Sequence, residues 1–329
     1  MTTPTTRIVL GLSAFIVATT LSLSPLAVHA QSGGQALEIG PPILNLSANP
    51  GQTIKANLSL RDISSGSLIV TNQINDFVAG GEDGTPKILL DTTTPSAYSI
   101  REWITPIPQM LLKTREIRIV PVTISVPKNA SPGGYYGVVR FTGVPPELKG
   151  NGVSLSASLG ALILLKVNGV AKESLSIEQF FANDNGNPGS LFEAAPIKFV
   201  TRLANSGNIH EEPSGVVTIS DMFNNTVATL AVNQPPHDIL PGSIRRFEDT
   251  ILDSSNIGNK VLFGLYHAKL DVTYGTDKKT TSTEIRFWVI PYKAILAIII
   301  GLVLLFFGFR FFIRRYNRMI IERAKNSKK

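Results

Sequence analysis

The side chains best able to do chemistry are sparse in this sequence and badly spaced for it. The 329 residues include no cysteine, which removes disulfides, thiolate metal sites and cysteine nucleophiles together. Beyond residue 30 there are three histidines, His210, His237 and His267. His210-Glu211-Glu212 is not the His-Glu-x-x-His pattern, which sets two rings on one helical face around zinc. Each of the three reads as a surface or strand-edge residue. Asn183-Asp184-Asn185-Gly186-Asn187-Pro188-Gly189 has the oxygen-rich look of a calcium loop. Pro188 and the lack of a correctly spaced terminal acid make it an inter-strand turn instead. Glu248 and Asp249 are adjacent on a predicted strand, where successive side chains point to opposite faces, so they make no acid–base pair. No nucleophile elbow, P-loop or dinucleotide fingerprint is present. The reading is of a non-enzyme, with no catalytic residue, no metal and no cofactor.

A formal charge of +7 and a pI near 9.5 would suit a nucleic-acid surface if the charge were spread over the fold. It is not. Residues 31–293 carry 22 Lys+Arg and 23 Asp+Glu, a net of −1, whereas 294–329 carry eight basic residues against Glu322, a net of +7. The body is neutral and the basicity is terminal, so no nucleic-acid partner is expected.

The two ends explain that asymmetry. Residues 1–30 run from a polar start with Arg7 through an apolar stretch, Ile8–Leu23, to Ser24-Pro25-Leu26-Ala27-Val28-His29-Ala30. This is a secretory signal peptide, with cleavage expected between Ala30 and Gln31. At the other end, Ala294–Phe309 is apolar throughout, and the run continues past Arg310 to Ile313, about 30 Å as helix and long enough to span a bilayer. Trp288 and Tyr292 precede it as interfacial aromatics, and Arg310 can snorkel to the headgroups. Arg314, Arg315 and Arg318 open the basic flank that stops transfer and marks the cytoplasmic side. The expected organisation is a signal peptide (1–30), an exported region, a transmembrane helix (291–313) and a basic cytoplasmic tail (314–329) drawn to anionic lipid. That is a single-pass type I plasma-membrane protein with an extracellular ectodomain and the lipid membrane as a partner. A cysteine-free exported region of this size fits a bacterial surface rather than a disulfide-stapled secreted domain.

The exported region must then be positioned by strands. Between residues 37 and 290, short alternating runs rich in β-branched residues are broken by Gly, Pro, Asn and Asp. Thr53–Arg61 and Glu116–Val126 alternate apolar and polar side chains; Asn49-Pro50-Gly51 and Gly80–Gly84 punctuate them. Further strands are predicted over 43–47, 68–77, 135–142 and 154–167. A second set covers 175–181, 196–203, 215–220, 226–232, 243–252, 264–274 and 280–289. The fold class is all-β: two tandem Ig-like β-sandwich domains, 31–168 and 169–290, meeting near Asn168-Gly169. The short linker suggests end-to-end stacking.

Two stretches resemble a known family. Glu102-Trp103 with Ile119–Val139, including Pro132-Gly133-Gly134-Tyr135-Tyr136-Gly137, resembles the peptidoglycan-binding domain of WxL-interacting proteins. Asn205–Gly215, with Leu240-Pro241-Gly242-Ser243 and Phe287–Tyr292, resembles the juxtamembrane β domain of related surface proteins, which is called host-binding. The chain itself has no Trp-x-Leu motif, so it resembles the membrane-anchored partner of that system. The resemblance implies peptidoglycan and a secreted β-rich surface protein as partners, and adhesion or attachment as the role. The residues read alone equally suit turn chemistry and packing. The reading carried forward is a non-catalytic, membrane-anchored surface protein that binds wall polymer, a secreted partner, or both. The alternative is an assembly or signalling component that pairs with another membrane protein through its span, where Gly301 and Gly308 allow close helix contact.

Overall fold

The computed structural model describes residues 37–91, 95–146, 157–184, 186–258 and 260–326. The signal peptide expected over residues 1–30 and its expected Ala30–Gln31 cleavage site lie outside the described residues.

The first half of the chain forms β1 (Leu37–Gly40), β2 (Ile43–Ala48), β3 (Thr53–Asp62), β4 (Leu68–Ala79), β5 (Pro86–Leu89), β6 (Met110–Leu112), β7 (Ile117–Ser125), β8 (Gly133–Val144) and β9 (Ala157–Val167). They make two sheets, one ordered β1-β3-β7 and the other β2-β9-β8-β4-β5, with β6 also on β4. The alternating residues of the two sheets meet in one core. Leu58, Leu60, Val122 and Ile124 come from the first, and Val70, Val139, Phe141, Ile163 and Leu165 from the second. This is what period-two patterning dictates when one face of each strand must be dry.

The second half forms β10 (Leu175–Asp184), β11 (Asn187–Gly189), β12 (Leu191–Phe192), β13 (Ile197–Asn205), β14 (Ser214–Asp221), β15 (Thr226–Val232), β16 (Ile244–Leu252), α1 (Ser254–Ile257), β17 (Gly264–Tyr274) and β18 (Lys279–Val289). The sheets are β11-β10-β13-β16 and β12-β18-β17-β14-β15. Between them lies a separate core that includes Phe199, Leu203, Val217, Ile219, Leu270 and Phe287. An α-helix, α2 (Tyr292–Asn326), follows directly. It is long and apolar enough to cross a membrane. The helix continues without a break past Ile313, so the predicted start of the tail at 314 is a change of composition and not of structure. Arg310, Arg314, Arg315 and Arg318 are all exposed along it.

Three local features sharpen the sequence reading. The Pro132-Gly133-Gly134 turn is not a hairpin: β7 pairs with β3 and β8 with β9 and β4, so the turn carries the chain from one sheet to the other. The Asn183–Gly189 segment is a hairpin between β10 and β11, with Asn183 Oδ1 accepting from the Gly186 amide at 2.7 Å. Glu248 and Asp249 do not alternate in and out. The β13–β16 register jumps from Phe199↔Thr250 to Thr201↔Phe247, a bulge that leaves both acids exposed. Glu248 pairs with Arg246 there.

Candidate functional site: the cleft between the two cores

Strand β9 carries the first clue. Its Ala161-Leu162-Ile163-Leu164-Leu165 run does not alternate, which in a strand means both faces are covered. Ile163 and Leu165 point into the first core. Leu162 and Leu164 point the other way, to a third cluster with Phe77, Tyr136, Val138, Ile88, Tyr98 and, from the second half, Leu240. The outward face of the large sheet is thus apolar and meets the loops of the second half. The two halves do not stack end to end; a sheet face takes the contact.

The contact is held at three places. At the tip of the β4–β5 hairpin, Glu82 accepts from Arg202 on β13, Nε to Oε2 at 2.7 Å with a second contact from Nη2 to Oε1. The Glu82 main-chain carbonyl also accepts from the Arg246 amide at 2.7 Å. The Arg202 hydrogen bond holds the Glu82 carboxyl below its usual value. Beside them Gly84, at φ +80, faces the Arg245 guanidinium; a Cβ would collide with it. The second place joins Gly134, whose amide donates to the Asn208 carbonyl at 2.8 Å, and Pro132, whose carbonyl accepts from Asn208 Nδ2 at 3.1 Å. At the third, Lys166 Nζ reaches Thr276 Oγ1 at 3.4 Å. Glu82 and Arg202 are partly solvated, so their coupling should be modest. A double-mutant cycle with Glu82→Ala and Arg202→Ala should return about 0.5–1 kcal/mol. A value near zero would mean that the hairpin tip does not grip β13.

Tyr136 sits where these contacts converge. Its ring makes edge contacts with Phe77, Tyr98 and His210 at centroid distances of 6.1, 6.0 and 5.7 Å. Burial pushes its hydroxyl well above its ordinary pKa and pushes His210 down, so both are neutral near pH 7. The hydroxyl is hydrogen-bonded to His210 Nδ1 at 3.3 Å, with the imidazole tautomer deciding which of the two donates. A Cβ on Gly134 would collide with this same hydroxyl, which is why the turn needs glycine there.

Beside Tyr136 the halves leave a cleft of about 180 Å³. Ile43, Phe77, Pro86, Leu162 and Leu164 supply the apolar wall, and Pro236–Leu240 with Ser243–Arg245 supply the opposite one. That volume suits one branched or aromatic side chain, since an apolar cavity of about 150 Å³ holds benzene. The cleft continues past Asn45, Glu212 and Asp238 into a polar chamber lined by Lys166, Glu173, His210, Glu211 and Thr276. In it Glu173 accepts from the Thr276 amide at 2.9 Å and its hydroxyl at 2.5 Å. Glu211 is 4% exposed, and its Oε1 has no hydrogen-bond partner. Burial, with the nearby Glu173 charge, pushes its carboxyl up to about 7.

Strand β2 borders this cleft and is the free edge of its sheet. Pro42 and Ala48 carbonyls accept from Leu162 and Asn168, which sets the parity of the parallel pairing. Even-numbered residues spend their backbone groups on β9, and Ile43, Asn45 and Ser47 turn theirs outward. The side chains of Ile43 and Asn45 line the cleft itself. Another edge is β7, with Ile117 and Ile119 exposed at 60% and 57%; β15 and β16 end the sheets of the second half. There the Thr105 amide donates to Thr123, so odd-numbered residues face out, and Pro121 falls among them without an N–H. A proline at that position blunts an edge against pairing. β2 has no such block.

The residues predicted from sequence are distributed unevenly over this site. His237 lines the cleft and is exposed, as expected of a surface residue; His267 pairs with Glu284 on the second sheet. His210 is not at a surface or edge but packed in the junction. Trp103 and Tyr135 lie with ring centroids 4.4 Å apart, tilted by 44°, and pack, half-buried, against the first core. Gly133–Tyr136 and Asn208–His210, from the two stretches that carry the family resemblance, touch each other. Asn205 binds the Leu240–Ser243 motif as well, donating to Ile239 O at 2.8 Å and accepting from the Gly242 amide at 2.8 Å. Among the described residues no group of three or more His, Cys, Asp or Glu is placed to hold a metal ion. Glu82, Arg202 and Arg245 were not singled out by sequence; nothing local marks them, because the groups they meet at the junction lie in the other half.

No family model matches the chain, and no curated protein matches it. Solved structures do. The YadV chaperone matches at 12% identity and TM-score 0.35, over 76% of this chain and 99% of that one. The class 5 fimbriae chaperone CfaA matches at 14% and 0.40, over 78% and 100%. The E. coli chaperone DraB matches at 13% and 0.35, over 78% and 98%.

Proposed function

We propose that this chain is a non-catalytic bacterial surface protein. In this reading a signal peptide exports it, and α2 anchors it in the plasma membrane with its basic end in the cytoplasm. Two tandem Ig-like domains, 31–168 and 169–290, then hold an extended segment of a secreted, β-rich partner in the cleft between them. The observation that carries this is the free β2 edge lying along an apolar cleft. Main-chain bonds to Ile43, Asn45 and Ser47 would supply affinity, and the pocket would select the side chain that enters it. Placing a photo-crosslinking residue at Asn45 in the producing cell should capture one exported protein. The same residue at Ser282, exposed on β18, should not. Equal capture from both positions would end the cleft reading.

The resemblance to WxL-interacting proteins also proposes peptidoglycan as a ligand. The observation that favours it is the half-buried Trp103–Tyr135 ring pair, a surface on which a sugar face could rest. Residues 31–293 should then be retained on purified wall sacculi above a control β-sandwich, and retention should fall at least threefold in Trp103→Ala. The anchor makes its own prediction: chain ending at residue 290 should leave the membrane fraction, whereas the full chain should resist alkaline carbonate extraction.

A further inference from the structure

We infer that the chamber around Glu211 is a subsite for a cationic side chain, the ammonium of a lysine or the guanidinium of an arginine, carried by the extended segment that lies along β2. The inference rests on the proposed cleft reading and names the chemistry that the cleft selects.

The chamber is lined by four carboxylates, Glu173, Glu211, Glu212 and Asp238, against one lysine, Lys166. Lys279 also acts on Glu211 from β18, and His210 is neutral. The excess is negative. Two of the four acids have other tasks or other surroundings: Glu173 is committed to Thr276, and Glu212 is exposed to water. Glu211 differs from both. It is almost wholly buried, its backbone is fixed by a reciprocal pair of bonds with Ile239 at 3.0 and 2.8 Å, and it lines the chamber with Oε1 buried and without a hydrogen-bond partner, although the Gly275 backbone donates to the carboxyl. A buried carboxylate oxygen without a donor is costly to keep. An incoming ammonium or guanidinium supplies the donor and the opposite charge together.

The geometry also says what carries the cation. Asn45, Glu212 and Asp238 border both the apolar cleft and the chamber. A ligand that puts an apolar side chain between Phe77 and Leu164 can therefore place a cation beside Glu211 in the same pose. The free backbone groups of β2 run along this path, and they match a polypeptide. Side chains two residues apart on an added strand share a face, so the expected signature is an apolar residue with a lysine or arginine two or four positions away.

The test uses the full chain in nanodiscs at pH 8 and a displayed library of random ten-residue peptides. Selection should enrich peptides with one basic residue at fixed spacing from an apolar one. Their binding should weaken at least tenfold when that residue becomes norleucine, and by a similar factor in Glu211→Gln. They should also fail on Leu164→Asp, which spoils the apolar wall. Enriched peptides that need Leu164 but have no basic residue would overturn the cation subsite and leave the cleft reading standing. Peptides indifferent to Leu164, or no enrichment at all, would overturn both. Denaturation midpoints of each variant show that it is folded.

Discussion

Glu211→Gln should make the protein more stable at pH 8.5, by about 3 kcal/mol relative to wild type, and should change little at pH 4.5. Burial pushes the carboxyl up to about 7 in the fold from its ordinary 4.5, and each pH unit of that gap is worth about 1.4 kcal/mol. The cause is burial first, then the Glu173 charge. Because the folded value lies above the unfolded one, the native state binds more protons between pH 4.5 and 7. Stability contributed by the protonated form is complete below pH 4.5 and is lost as pH rises through about 7. The glutamine has no proton to lose, so its curve lacks that fall. Urea unfolding of both proteins at four pH values from 4.5 to 8.5 measures the difference. Parallel curves would show that Glu211 is solvated, and the subsite argued from its isolation would go with it.

The same residue shows the limit of reading function from sequence. His210-Glu211-Glu212 lies in a loop with a single β-bridge at Glu211 and not on a helix. What made Glu211 unusual was not its neighbours in the chain but Ile239, Glu173 and Gly275 around it, and those arrive only with the fold. The strands themselves were another matter. Thr53–Asp62 and Lys279–Val289 each have one dry face, and a period of two states that directly. Short strands such as Pro86–Leu89 and Asn187–Gly189 are too brief to show a period, and α1 is announced only by Asp253 capping a single turn. Strand β9 falls between. Its unbroken Ala161–Leu165 run already said that both faces are covered, but not that the second cover is the other half of the chain. The glycine-rich motifs carried the same hidden meaning. Gly133-Gly134 and Gly207-Asn208 have turn chemistry wherever they occur; here the turns are also the joint.

Phe199→Ala should destabilise the second core by about 3–5 kcal/mol, the usual cost of deleting a fully buried phenyl ring. Phe199 is 0% exposed and lies 6.0 Å from the Phe180 ring and 5.7 Å from Phe287, which in turn stacks on Tyr266. The void would open in the middle of that chain of rings, where both sheets are fixed and little can collapse. At roughly 4 °C per kcal/mol for a unit of this size, the unfolding transition of the second half should fall by about 12–20 °C. No member of the first core touches the ring cluster. Calorimetry of the region 31–293 should thus show the first-half transition shifting far less than the second. A common shift of both would mean that the Tyr136 joint and the Glu82–Arg202 grip fuse the halves into one cooperative unit. The cleft would then be a rigid feature of a single fold, not a gap between two domains free to open around a ligand. A shift below about 3 °C in the second-half transition would show that the rings are not the centre of the second core.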